Sequence, residues 1–78
     1  MDIREALERC IRTVPDFPIP GIQFRDITPV LANPTLMKQV TESFAESFAV
    51  AEPTAVAGPE ARGFIFGPLV AAKLGCPF

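Results

Sequence analysis

The sequence contains no histidine, tryptophan or tyrosine and only two cysteines among its 78 residues. The absence of histidine excludes histidine-based acid–base catalysis and histidine-ligated metal sites. Cys10 and Cys76 are far apart in the sequence and match no metal-ligand spacing, which favours two buried or half-buried thiols. We therefore assign no metal-ligating residue in this chain.

Positive charge is also sparse, since seven Lys and Arg residues stand against nine Asp and Glu and leave a net charge of −2. The basic residues form no cluster, which argues against a nucleic-acid-binding protein. Each cation would then act singly, as arginine often does on a phosphate group.

Long apolar runs are missing as well, although 49% of the residues are apolar and the balance is that of a globular chain. No run approaches the roughly 20 residues that cross a bilayer. The N-terminus, Met-Asp-Ile-Arg-Glu, carries charges where a signal peptide requires apolar residues. We expect a cytoplasmic protein with neither a membrane nor a nucleic-acid partner.

Helix signals recur through the first half of the sequence. Asp2 and Glu5 are typical of a capping box, and the apolar residues after them predict an amphipathic helix of about three turns that ends at Val14-Pro15. Thr28-Pro29 resembles an N-cap followed by proline at the first helical position, and opens a brief turn. Asn33-Pro34 repeats this signal more strongly.

The second signal is expected to open a helix over residues 34–49. Apolar residues recur in it about every fourth position, which favours one packed face. The residues of this predicted core stripe are Leu36, Met37, Val40, Phe44 and Phe48.

Residues 14–21 contain three prolines, which predict a stiff, extended loop. The alternation after it, at Ile22 and Phe24, predicts a short unpaired strand whose backbone could bind the edge of a flat heterocycle. Phe24 could stack on that heterocycle, or it could belong to the core. The neighbouring Arg25-Asp26 could be a local ion pair.

The second half of the sequence predicts a strand, a turn and a helix. Residues 55–58 are typical of a strand buried on both faces of a parallel sheet. Residues 64–74 predict a buried helix that Gly75 ends, with Pro68 tolerable only near its first turns. Residues 76–78 resemble the start of another strand. We therefore predict the front of an α/β fold, in an incomplete domain.

The turn over residues 58–63, Gly-Pro-Glu-Ala-Arg-Gly, follows the predicted strand, where α/β sheets bind ligands. Helix N-terminal amides and the guanidinium of Arg62 would suit a phosphate, and Gly63 would let the backbone approach it. Glu60 could hold Arg62 or contact a metal-bound water. A surface Glu–Arg pair that caps the helix is the alternative. The glycine spacing excludes a Walker loop and a dinucleotide fingerprint.

Two segments of the sequence resemble one enzyme family. Residues 14–29, Val-Pro-Asp-Phe-Pro-Ile-Pro-Gly-Ile-Gln-Phe-Arg-Asp-Ile-Thr-Pro, closely resemble the N-terminal signature of adenine phosphoribosyltransferases. Residues 56–67, Val-Ala-Gly-Pro-Glu-Ala-Arg-Gly-Phe-Ile-Phe-Gly, resemble the pyrophosphate loop of that family, which recurs more loosely in related phosphoribosyltransferases. The order and spacing of the segments match too, so the resemblance covers nearly the whole chain.

The resemblance implies a type I phosphoribosyltransferase fold, which is a parallel sheet flanked by helices with a small hood over the base. Residues 1–32 would form the N-terminal helix and adenine-binding hood. Residues 33–78 would form the first helix, strand and helix of the core. The family, commonly homodimeric, joins adenine to 5-phosphoribosyl 1-pyrophosphate and gives AMP and pyrophosphate, a step of purine salvage. Mg²⁺ accompanies the pyrophosphate.

The resemblance also implies residue roles. Phe24 would stack on adenine, the backbone of Gln23 would bind the base edge, and Arg25 would lie beside the base and ribose. The pyrophosphate would be bound by the loop residues Glu60, Ala61 and Arg62, with a cis peptide bond between the first two.

No catalytic residue is assigned, because the family's mobile catalytic loop and its acidic, glycine-rich motif for the ribose phosphate would follow Phe78. We expect negligible activity from the isolated chain, since the reaction needs both reactants held together. A non-catalytic nucleobase-binding or dimer-forming module derived from the same fold is the alternative. A related enzyme for another purine is a second alternative, which residues 24–26 disfavour.

Overall fold

The computed structural model describes residues 2–78, and Met1, where the predicted hood segment begins, lies outside the described residues. The described elements are α1 (Ile3–Cys10), β1 (Arg12–Val14), β2 (Phe24–Asp26), α2 (Thr28–Leu31), α3 (Pro34–Ala49) and α4 (Gly63–Leu74). The chain divides into two compact units, one that runs to Met37 and one from Lys38 to Phe78. Within residues 2–78, no helix is long and apolar enough to cross a membrane.

The start of α1 agrees with the sequence, because the Asp2 carboxylate accepts a hydrogen bond of 2.9 Å from the Glu5 N–H. The predicted end at Val14-Pro15 is wrong. Ile11 already has extended backbone angles (φ −70°, ψ 125°), and the residues after it form β1. Residues 12–14 pair with β2 and therefore do not continue α1.

The two strands form an antiparallel pair, so the prediction that the second strand is unpaired is wrong. Directly opposite residues in an antiparallel pair share one face of the ribbon. The three opposite pairs are Arg12 with Asp26, Thr13 with Arg25, and Val14 with Phe24.

The connection between the strands is folded back on itself, although its prolines predict an extended loop. The Phe17 N–H donates to the Ile22 carbonyl at 3.0 Å, and the Gly21 N–H donates to the Asp16 carboxylate at 2.9 Å. Gly21 has φ of 90°, which a glycine adopts without steric cost, and Asp16 has φ of 53°. These turns bring the ends of the loop together and allow the strands to pair.

Two short loops set the starts of α2 and α3. α2 begins at Thr28, which is its first helical residue and not the predicted N-cap, because Ile27 holds the cap position. α3 spans the residues that the sequence predicts, and the Asn33 side chain accepts a hydrogen bond of 3.0 Å from the Leu36 N–H. That bond satisfies one of the amides that a helix N-terminus leaves unpaired.

The predicted core stripe of α3 is only partly buried. Leu36 and Val40 are buried, but Phe44 is 44% exposed and Phe48 is 53% exposed. Phe44 contacts Phe66 of α4 with ring centroids 6.3 Å apart. Burial therefore depends on which elements lie against the helix and not on periodicity alone.

The predicted strand at residues 55–58 is not formed. A strand buried on both faces needs partners at its edges, and the described residues supply one bond of 2.9 Å, from the Val56 N–H to the Pro77 carbonyl. Ala55 and Ala57 are exposed as a result.

The prediction that α4 is a buried helix is also wrong for most of its length. Val70 and Ala71 are its buried residues, whereas Phe64 is 54% exposed. Pro68 lies inside the helix, in its second turn, and Gly75 ends it with φ of 73°, as predicted.

Candidate functional site

The first candidate region is the hairpin of β1 and β2. Phe24 begins β2, is half-buried, and contacts the ring of Phe17 at 5.3 Å with the ring planes at 70°. Gln23 is exposed and precedes the first residue pair of the ladder, so its backbone lies outside the register of β1. The structure thus places an aromatic ring directly after an exposed backbone segment.

Arg25 lies in the middle of β2, opposite Thr13, and is exposed. Because successive side chains point to opposite faces of a strand, the Arg25 side chain projects from the face opposite to that of Phe24. A ligand that contacts both side chains must therefore reach around the edge of the strand.

Asp26 is the buried charged residue of the described chain, with 7% of its surface exposed. Its carboxylate accepts hydrogen bonds from the Thr28 N–H at 2.9 Å and the Thr28 hydroxyl at 2.8 Å, and pairs with the Arg12 guanidinium. The bonds from Thr28 and then the pairing with Arg12 lower the pKa of the Asp26 carboxyl below its usual value.

Sequence reasoning missed this network. The interpretation of Arg25-Asp26 as a local ion pair is wrong, since Asp26 pairs across the hairpin with Arg12. Arg12 falls within the predicted first helix, so its role became visible only with the strand register. The signal that could have found it is the opposite charge of two residues that flank a proline-rich turn.

The second candidate region is the loop before α4. Glu60, Ala61 and Arg62 are all exposed, and the peptide bond between the first two is cis, as the resemblance implies. The Gly63 N–H donates to the Pro59 carbonyl at 2.9 Å, and the Phe64 N–H donates to the Ala61 carbonyl at 3.1 Å. These two amides at the helix start are therefore occupied. An anion bound at this loop would therefore contact the Arg62 side chain and the backbone of the residues before it.

The two ends of this loop touch through their glycines. A Cβ placed on Gly63 would lie 2.6 Å from the carbonyl carbon of Gly58, and one placed on Gly58 would lie 2.9 Å from the Cα of Gly63. Gly63 is thus needed for close approach to Gly58, whereas the sequence suggested close approach to a ligand. The contact closes the exposed loop at its base.

A cavity of about 370 Å³ lies beneath the loop, within the second unit. Its lining is almost entirely apolar, with Phe44, Phe66 and Val70 from the helices and Val56 from the segment before the loop. Such a lining would leave a phosphate without hydrogen-bond partners. The exposed loop, and not this cavity, is therefore the anion-binding candidate.

No group of three or more Cys, Asp or Glu side chains that could hold a metal ion occurs within residues 2–78. Mg²⁺ in phosphate-transfer sites is typically held by one or two carboxylates together with substrate phosphates and water. In the exposed loop, Glu60 is the residue of that type.

Comparison with known proteins shows which enzymes the chain is similar to. The chain is 45% identical over all of its 78 residues to the adenine phosphoribosyltransferase of Methylibium petroleiphilum, of which it spans 40%. The structure is similar to that of adenine phosphoribosyltransferase from Saccharomyces cerevisiae, with a TM-score of 0.89 and 34% sequence identity. This match covers 97% of the present chain and 47% of the yeast chain. The structure also matches the Rhodothermus marinus adenine phosphoribosyltransferase with a TM-score of 0.84 and 51% identity, over 43% of that protein.

The chain is related to the adenine phosphoribosyltransferases. The predicted resemblance is therefore confirmed, and so is the predicted fold class, an α/β chain that forms part of a type I phosphoribosyltransferase fold. The chain spans about 40% of the length of the curated family members that it matches. It matches no protein-family profile.

Proposed function

We propose that the chain is the adenine- and pyrophosphate-binding part of an adenine phosphoribosyltransferase. Such an enzyme joins adenine to 5-phosphoribosyl 1-pyrophosphate and releases AMP and pyrophosphate, a step of purine salvage. The observation that carries the proposal is the identity of 45% over the entire chain to a curated enzyme of that name. The yeast relative is described in complex with adenine and an imino-altritol bisphosphate.

The hairpin is proposed to bind adenine. A half-buried ring with an aromatic neighbour, as at Phe24, suits stacking on a flat base. The exposed backbone of Gln23, outside the strand register, would give N–H and C=O groups to the base edge. Arg25, on the other face of the strand, would reach around the edge to the base and ribose.

The exposed loop is proposed to bind pyrophosphate. Arg62 supplies a planar, permanently charged guanidinium, which matches the oxygen spacing of a phosphate. The backbone of Glu60 and Ala61 lies on the same exposed turn, which the contact between Gly58 and Gly63 closes. Glu60 would help to hold the Mg²⁺ that accompanies pyrophosphate, through a metal-bound water, and the metal would supply positive charge to the phosphate oxygens.

The two regions of the chain are proposed to have different roles. Residues 1–32 would act as the hood over the base, and residues 33–78 as the first part of the core. Transfer requires both reactants to be held together, so we propose that these 78 residues alone form no measurable AMP. A homodimer in the cytoplasm is proposed for the complete enzyme, and the free thiols Cys10 and Cys76 suit a reducing compartment.

Calorimetric titration tests the adenine site. Adenine should bind the chain saturably and hypoxanthine should bind more weakly. Phe24→Leu should weaken adenine binding by roughly 5- to 100-fold, because base stacking on an aromatic ring is worth about 1–3 kcal/mol. Phe48→Leu is the matched control, since Phe48 is an exposed phenylalanine of the other unit. Equal binding of the two purines would refute the proposed specificity.

A chimaera tests the reaction. This chain would replace the aligned part of the Methylibium petroleiphilum enzyme, which is 45% identical over all 78 residues. The chimaera should form AMP from adenine and the phosphoribosyl donor, and Arg62→Ala should raise its KM for that donor. A folded chimaera without activity, beside an active parent enzyme, would count against the proposal.

A further inference from the structure

Phe17 lies on the loop between the strands and contacts the candidate stacking residue. Its ring centroid is 5.3 Å from that of Phe24, with the planes at 70°, which is an edge-to-face arrangement. Phe17 nevertheless remains 50% exposed. The Phe17 ring is therefore not part of a sealed core.

The backbone of Phe17 is held close to Phe24 by hydrogen bonds of the loop itself. Its N–H donates to the carbonyl of Ile22 at 3.0 Å, two residues before Phe24, and the Ile22 N–H donates to Ile19 at 3.2 Å. The Gly21 N–H donates to the Asp16 carboxylate beside it. Phe17 is thus held between hydrogen bonds of the turn itself.

Phe24 forms the last residue pair of the ladder. Its partner Val14 is the last residue of β1. The edge-to-face contact with the Phe17 ring limits the rotation of the Phe24 ring. A ring that is already oriented loses less rotational freedom when a base stacks on it.

We propose that Phe17 is a positioning residue for base recognition, whose edge-to-face contact holds the ring of Phe24 in the plane on which adenine stacks. The proposal rests on the proposed adenine site and adds a residue to it. Phe17 acts through Phe24, so its effect on adenine affinity must vanish when the Phe24 ring is absent.

A double-mutant cycle tests this dependence by titration of adenine into the 78-residue chain. Phe17→Leu should weaken adenine binding about 2- to 10-fold, the range that an aromatic pair supports. The same substitution in a Phe24→Leu background should change affinity less than 1.5-fold, on the order of measurement error. Phe17→Tyr, which keeps the ring, should bind within about twofold of the original chain.

Ile19→Ala is the matched control, because Ile19 is an exposed apolar residue of the same loop, at 58%, whose hydrogen bond uses only its backbone. It should leave adenine affinity unchanged. Amide NMR signals of β1 and β2 establish for each variant that the hairpin is retained, so a loss of affinity is measured on folded chain.

The outcomes separate the two proposals. If Phe24→Leu weakens adenine binding and a folded Phe17→Leu does not, the positioning role is refuted and the adenine site stands. An equal loss from Phe17→Leu in both backgrounds also refutes it, since Phe17 would then act independently of Phe24. If the unsubstituted chain binds no adenine, both proposals fail.

Discussion

Replacing Gly63 by alanine would force apart the two ends of the loop that precedes α4. The added Cβ would lie 2.6 Å and 2.8 Å from the carbonyl carbon and Cα of Gly58, and 2.9 Å from the Cδ of Pro59. Real Cβ atoms essentially never come closer than 3.0 Å to such atoms. The neighbours are backbone atoms and a proline ring, so none of them can rotate away.

The magnitude follows from two opposing effects. Overpacking costs about 1–3 kcal/mol, and contacts with backbone belong in the upper part of that range. Alanine in a helix is favoured over glycine by up to about 1 kcal/mol, because it restricts the unfolded chain and has the higher helix propensity. We expect Gly63→Ala to lower the free energy of unfolding by about 1–2 kcal/mol.

Gly67→Ala is the control, and it has the shorter contact. The added Cβ would lie 2.2 Å from the Cε1 of Phe78, but this atom belongs to the far end of a side chain, which can rotate away. Rotation would disturb the edge-to-face contact of Phe78 with Phe64, which is worth about 0.5–1.5 kcal/mol. The gain in helix propensity offsets that loss, so we expect a change within about 0.5 kcal/mol of zero.

Urea unfolding followed by circular dichroism measures both variants. With a slope near 1 kcal/mol per molar urea, typical of small domains, the Gly63→Ala midpoint should fall by about 1–2 M. The slope itself should stay constant, since the surface exposed on unfolding is unchanged. A Gly63→Ala chain as stable as the original, or less destabilised than Gly67→Ala, would refute the reasoning from the close backbone contact.

Substitutions at three further residues give expected outcomes in the same urea assay. Asp26→Asn removes the pairing with Arg12. The folded pKa of Asp26 is lowered from 3.8, so the ionised carboxylate stabilises the folded chain above that pH, and this stability is lost as the pH falls through the folded pKa. The urea midpoints of the original chain and of Asp26→Asn should therefore differ at neutral pH and converge in acid. A difference that persists in acid would contradict this. Asn33→Ala removes the N-cap bond of α3 and should cost about 1 kcal/mol, while Asn33→Asp should retain most of the stability. Lys73→Ala breaks a 3.8 Å pair with Glu42 whose side chains are 53% and 39% exposed, so the change should stay below about 1 kcal/mol and should shrink in salt.

The elements that the sequence predicts well are those with local signals. Asn33-Pro34 sets the start of α3 through a cap bond over three residues, and Gly75 ends α4 by a backbone angle that glycine adopts easily. β1 has no such signal, because Arg12–Val14 is three residues long and continues the pattern of a helix. Its existence depends on pairing with β2 across the proline-rich loop.

The candidate site likewise has parts that the sequence predicts and features that it does not. The loop with Glu60 and Arg62 and the ring of Phe24 are visible as residue types at particular positions in the sequence. The exposure of Phe44 and Phe48 could not be predicted, since periodicity identifies which side chains share a face and not what covers that face. The pairing of Arg12 with Asp26 likewise requires the register of the hairpin.

That register connects a buried charge with the orientation of the candidate adenine contact. Phe24 and Asp26 lie two residues apart and so share one face of β2, while Arg25 lies on the other. A slip of one residue would separate Asp26 from Arg12 and bring Arg25 to the position opposite Arg12, where like charges repel. Because a buried charge is tolerated only with its partners, Asp26 disfavours the slipped pairing more strongly than an apolar residue would. Phe24 lies on the same face of β2 as Asp26, so the pairing of Asp26 with Arg12 supports the face from which the Phe24 ring projects.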